Sequence, residues 1–244
     1  MKYLYILLTL MTFSINATTW GASEVEDPIN SDAKCKVNEP VSSGSYIYQW
    51  PSKYDQVFWP LTSPEGIWYC ESSGFIAFIG DFDDITEEEK TKISDYLAAK
   101  EKKHPDSLIQ KLELLEVLYS FRSKDDEFNN RIIRVFAYLY EQEGKLELAN
   151  NYRKIALSQI NEALKTELPE YKKLEYLFVA ANYERQLGNV SSSERRLSEL
   201  KQSIKSMKDE NLEDFGSYLM DLSKDTLRID TGGVLAPSTE DKGA

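Results

Sequence analysis

Phe75-Ile-Ala-Phe-Ile-Gly-Asp-Phe-Asp-Asp-Ile-Thr-Glu-Glu-Glu-Lys90 joins two different kinds of chain. Phe75–Ile79 is apolar and rich in aromatic and β-branched residues, and Gly80 closes it, which is the pattern of a short strand. Thr86-Glu-Glu-Glu89 is a capping box. The Thr86 hydroxyl can accept from the Glu89 amide, and the Glu89 carboxylate can reach back to the Thr86 amide. Three acids in one turn also suit the positive end of a helix. The stretch therefore predicts a strand, an acidic turn and a helix start.

Residues 35–85, on the strand side, hold Trp50, Trp59 and Trp68 among turn residues such as Pro40, Gly44, Pro60 and Gly66. Tyr46–Trp50 and Ile67–Cys70 read as further short strands, giving a small antiparallel β module. On the helix side, prolines fall only at Pro105 and Pro169 as far as residue 227. Apolar residues recur at three- and four-residue spacing, as in Leu108, Leu112, Leu115 and Leu118, and again in Ile132, Val135, Phe136 and Leu139. Helices are predicted over 86–102, 106–122, 127–143, 146–167, 170–187, 191–208 and 211–227. The short connections make neighbours antiparallel. The predicted fold class is α+β, a small antiparallel β module (35–85) followed by an all-α stack of helical hairpins (86–227). Residues 23–34 read as a polar linker and residues 228–244 as a disordered tail.

The helical part carries a weak internal repeat. Ala137-x-x-Tyr140 recurs as Ala180-x-x-Tyr183, and Gly144 and Gly188 follow as turn residues. On these spacings one turn is a residue longer than the other. Ala149 and Ala156 offer small residues on the next helix, where Ser191-Ser-Ser193 breaks the pattern in the second copy. A small residue for close approach, an aromatic to fill the groove and a glycine to turn the chain are the elements of a tetratricopeptide-like hairpin.

Residues 1–22 read as a signal peptide: Lys2, an uncharged apolar run from Tyr3 to Ile15, then small residues at Ala17, Thr18, Thr19, Gly21 and Ala22. Cleavage is expected after Gly21 or Ala22. The run is short for a membrane span, so no stable anchor is expected after cleavage. The predicted location is periplasmic or secreted. A net charge of −12 argues against a nucleic-acid partner. The two cysteines, Cys35 and Cys70, read first as a disulfide in an oxidising compartment.

Candidate sites are few. Asp81, Asp83 and Asp84 cluster, but as a solvated turn ahead of a helix more readily than as a calcium or acid–base site. His104 reads as a surface residue near a helix end. The aromatics of the β module serve a core first and a binding surface second, with Trp50 and Trp59 as its binding candidates. On the helical hairpins, Tyr140, Asn151, Tyr183 and Arg185 mark the face where a partner is expected. No catalytic set, cofactor or metal site is expected.

Cys35-Lys-Val-Asn38, Cys70-Glu-Ser-Ser-Gly74, the Phe75–Asp84 strand and Thr86–Lys90, with Tyr138–Gly144 and Tyr176–Gly188, resemble an uncharacterised bacterial family. Its members have an N-terminal zinc ribbon followed by tetratricopeptide-like helices. Here Asn38 and Ser73 stand where the second cysteine of each pair belongs. The resemblance thus implies a degenerate ribbon whose remaining cysteines face each other, with a disulfide in place of the metal. The expected role is an exported, non-enzymatic protein- or peptide-binding scaffold. The alternatives are a carboxylate-dependent hydrolase with an aromatic platform, or a protein with weak zinc affinity.

Overall fold

The computed structural model describes residues 19–42, 51–100 and 104–238. Two two-stranded antiparallel sheets precede the helices. β1 (Thr19–Glu26) pairs with β2 (Lys34–Ser42), and β3 (Ile67–Tyr69) pairs with β4 (Ile76–Phe78). Seven helices follow among the described residues: α1 (Glu87–Ala99), α2 (Leu108–Tyr119), α3 (Asp126–Gln142), α4 (Leu146–Ala163), α5 (Glu170–Gln186), α6 (Val190–Lys205) and α7 (Glu213–Thr226). This is the predicted α+β architecture. The strand expected at Tyr46–Trp50, residues 1–18 of the expected signal peptide and the last six residues lie outside the described residues.

The Cys35–Cys70 disulfide joins β2 to the end of β3. The Trp68 indole Nε1 donates to Asn38 O at 2.9 Å and ties the same two strands. β4 is wholly buried, and Phe78 meets Tyr119 and Phe136 edge-on or tilted, with ring centroids 5.8 and 6.4 Å away. One apolar core therefore runs from Cys35 through β4 and α1–α3 to Tyr152, so the β unit and the first helices share their interior. At the boundary, Thr86 and Glu89 form the predicted capping box.

Two expectations of irregular chain are corrected. The span taken as a linker, 23–34, supplies the end of β1 and the turn into β2. Val25 packs against the core, and Asp27 N donates to Ala33 O at 3.1 Å. The expected signal peptide thus overlaps β1 at Thr19–Ala22. In the span taken as a tail, residues 228–238 fold back on the helices, with Ile229 and Leu235 buried. Gly232 N donates to Gln186 O at 2.7 Å and Leu235 N to Glu141 Oε2 at 2.9 Å, so this segment covers the ends of α3 and α5.

The internal repeat is more regular than its sequence suggests. Every element of the second hairpin begins 44 residues after its counterpart, α5 at Glu170 after α3 at Asp126 and α6 at Val190 after α4 at Leu146. Both turns close in the same way. Lys145 N donates to Tyr140 O and Asn189 N to Glu184 O, each at 2.8 Å, over Gly144 and Gly188 at φ +69° and +89°. That six-to-one bond over a left-handed glycine ends a helix in a Schellman motif. The two turns are therefore equal in length. The structural counterpart of Ala137 is Ala181 rather than Ala180, and that of Ala149 is Ser193. All four positions are fully buried small residues.

Candidate binding groove

α3, α5 and α7 are the alternate helices of the stack, and their inner face holds a piece of the chain itself. After a 3-10 turn at Pro51–Tyr54, residues Tyr54–Val57 are buried between the helices. The helices read this segment through its backbone. Asn182 Nδ2 donates to Tyr54 O at 3.1 Å, and Arg134 Nη1 donates to Asp55 O at 2.7 Å and to Gln56 O at 3.3 Å. Side chains anchor it as well. The Tyr54 hydroxyl donates to Asp225 Oδ2 at 2.9 Å, and the Tyr183 hydroxyl to Asp55 Oδ1 at 2.6 Å. Gln56 is held at φ +50°, a left-handed conformation that a non-glycine residue keeps only where its surroundings fix it.

Beneath the segment lies a buried ionic network. Arg153 Nε is 3.6 Å from Asp55 Oδ1, and its Nη1 donates to Glu141 Oε2 at 2.8 Å. Arg134 Nη2 donates to Glu175 Oε1 at 2.7 Å, and Lys172 Nζ lies 2.6 and 2.7 Å from Glu175 and Glu127. Burial pushes the Asp55 carboxyl above its usual range, and Arg153 and the Tyr183 hydroxyl pull against that shift. Burial acts the same way on Glu175, but Arg134 and Lys172 outweigh it and hold that carboxyl low. Asp55, Arg134 and Arg153 are each no more than 1% exposed, so these charges meet almost without water.

Beside the segment the groove stays open. A cleft of about 570 Å³ lies between α3, α5 and α7, with Phe58, Arg131, Lys172, Phe215 and Tyr218 on its walls. Arg134 and Lys172 are balanced at its floor by Glu175 and Glu127, so the three aromatic rings are its main apolar offer to a ligand. A second cleft of about 590 Å³ between α3, α4 and α5 shares Glu127 and Lys172 with it. Phe58 belongs to the aromatics of the β module that the sequence offers as core first and binding surface second; Phe215 and Tyr218 were not singled out, because they fall outside the two readable repeats.

The residues expected to form a partner face do not come together. Tyr183 is buried beneath Asp55. Tyr140 is buried and stacks on Tyr152 at 5.4 Å, where burial first and then Glu116 and Glu113 push its hydroxyl up to about 12. Asn151 is exposed in a shallow hollow beside Gly144, and Arg185 Nη2 donates to Leu227 O at 2.8 Å. In the β unit Trp59 lies 5.6 Å from Trp20, and Trp50 lies outside the described residues.

The acidic turn is structural. Asp81 Oδ2 accepts from the Tyr119 hydroxyl at 2.9 Å, and Asp84 Oδ2 pairs with Lys124 at 2.5 Å. His104 is exposed, 3.4 Å from Glu71. Asn38 O accepts from Trp68, and Ser73 Oγ accepts from Phe75 N at 3.1 Å. The chain matches no family model, and neither the curated proteins nor the solved structures contain a match for it.

Proposed function

We propose that the protein is an exported, non-enzymatic scaffold that binds an extended segment of another protein in the cleft between α3, α5 and α7. The observation that carries this reading is the chain's own Tyr54–Gln56 segment. The helices hold it by side-chain contacts to three successive backbone carbonyls, a chemistry that recognises a peptide without demanding its sequence. The open cleft continues that track, and its rings at Phe58, Phe215 and Tyr218 suit an apolar side chain of the partner.

A photo-crosslinking residue placed at Phe215 tests the reading in intact cells. It is expected to give a discrete crosslinked species. The same residue at Ile155, an exposed apolar position on α4, is expected to give none. Equal yields at both positions, or none at Phe215, would discard the groove as the binding surface.

Export is supported by the disulfide and by the apolar N-terminal run; among the described residues no helix is long and apolar enough to cross a membrane. Cleavage after Ala17 keeps β1 whole, whereas cleavage after Gly21 or Ala22 removes Trp20 from its contact with Trp59. The intact mass of the exported protein is expected to match a chain beginning at Thr18. A mass that includes Met1 would remove export by this route.

A further inference from the structure

Asp27, Cys35 and Cys70 converge from the turn after β1, from β2 and from the end of β3, and all three are buried. One carboxylate oxygen and the two sulfurs lie within 4.8 Å of one another. The carboxylate is aimed. Its Oδ1 accepts from the backbone amides of Ile29 and Asn30 at 2.9 and 3.2 Å, which turns Oδ2 toward the sulfurs, 3.1 Å from Cys70 Sγ. The Ser72 hydroxyl donates to Oδ2 at 2.5 Å and lies 3.2 Å from Cys70 Sγ.

A disulfide sulfur carries no proton, so the contact between Asp27 and Cys70 is no hydrogen bond while the bridge is closed. Burying a carboxylate is costly unless it is compensated. Among the described residues, Asp27 is met by two amides and a hydroxyl and by no cationic side chain. Two sulfurs with a carboxylate oxygen held by backbone amides form a donor set that zinc-class cations accept. The amides act as the outer partners that orient such a ligand.

We propose that reduction of the Cys35–Cys70 bridge turns this corner into a site for a zinc-class divalent cation, bound by both thiolates and Asp27 Oδ2, with Ser72 closing the fourth side. Asp27 and Ser72 come from the two turns, so the set is not the pair positions Asn38 and Ser73. A dithiol reductant delivers two electrons and two protons. The S–S bond breaks, both sulfurs become thiols, and the reductant leaves as its own disulfide. Cation binding then releases both thiol protons to solvent. The corner thus holds either a covalent bridge or a cation, according to the thiol–disulfide balance around it. This inference stands independently of the groove.

Co2+ binding to the reduced full-length chain tests it. The oxidised protein is expected to bind none. The reduced protein is expected to bind one Co2+, with thiolate-to-cobalt charge-transfer absorption that Zn2+ abolishes. Ser72→Ala is expected to weaken binding about 10-fold and Asp27→Asn by about 100-fold or more, since loss of even an outer partner costs 10- to 100-fold. The amide oxygen of Asp27→Asn can still accept from Ile29 and Asn30. Where that variant does not fold, the 13C-labelled Asp27 carboxylate resonance of the reduced wild type replaces it and is expected to shift when Zn2+ is added. Absence of thiolate-to-cobalt absorption, wild-type affinity in Asp27→Asn, or an unmoved carboxylate resonance would each overturn the proposal.

Discussion

Arg153→Met is expected to destabilise the protein by about 3–5 kcal/mol, the usual cost of removing one partner from a buried ion pair. Arg153 is fully buried, and its guanidinium lies between Asp55 and Glu141. Methionine fills much of the volume but leaves two carboxylates in a site nearly free of water. In a chain of this size the loss corresponds to a fall in Tm of about 6–20 °C. The deficit should depend on pH. Burial already raises the Asp55 carboxyl, and losing the guanidinium raises it further. A carboxyl whose folded pKa exceeds its unfolded one favours folding in its protonated form, so stability falls as pH climbs between the two values. The deficit is thus expected to be largest at neutral pH and to narrow in acid. Asp55→Asn added to Arg153→Met should recover part of the loss, because the amide oxygen still accepts from Tyr183. Thermal melts of the three proteins across pH decide the matter. A flat deficit, or a double variant no better than the single one, would mean that the network does not carry this energy.

The disulfide makes the second large contribution. It closes a loop of 35 residues in sequence, for which the chain-entropy account gives about 4 kcal/mol. Replacing both cysteines by serine is expected to lower stability by roughly that amount. Reducing the wild type in the presence of a chelator should do the same. The damage should be graded, because Cys35 and Cys70 pack in the core shared with β4 and α1–α3, whereas α5–α7 belong to a second cluster. Hydrogen exchange should therefore rise first in β1–β4. A double variant as stable as the wild type would show that the bridge adds nothing to the packing around it.

The helices were legible because their signals are local. Thr86 with Glu89, and Gly144 and Gly188 after apolar runs, lie within a few residues of the ends they fix. The disulfide was legible because only one pairing exists. β1 was not, since Ser23-Glu-Val-Glu26 buries little and gains its order from pairing with β2. The closing segment was misread because Gly232, Gly233 and Pro237 suggest a frayed end, while two side chains, Ile229 and Leu235, hold it down. The repeat register slipped by one because the tyrosines drew the alignment, whereas the buried small residues and the glycines keep it. The groove was hidden for another reason. Asp55 meets Arg134 across 79 residues and Tyr183 across 128, and no window on the sequence joins them.

Stacked helical hairpins ordinarily fold as a one-dimensional series in which each pair needs only its neighbour. Here Tyr54 is tied to Asp225, 171 residues further on. That tie changes the order in which the molecule can be completed. The early segment has no place to lodge until the last helix has been made, so the series becomes a closed circuit. Contacts so distant along the chain slow folding.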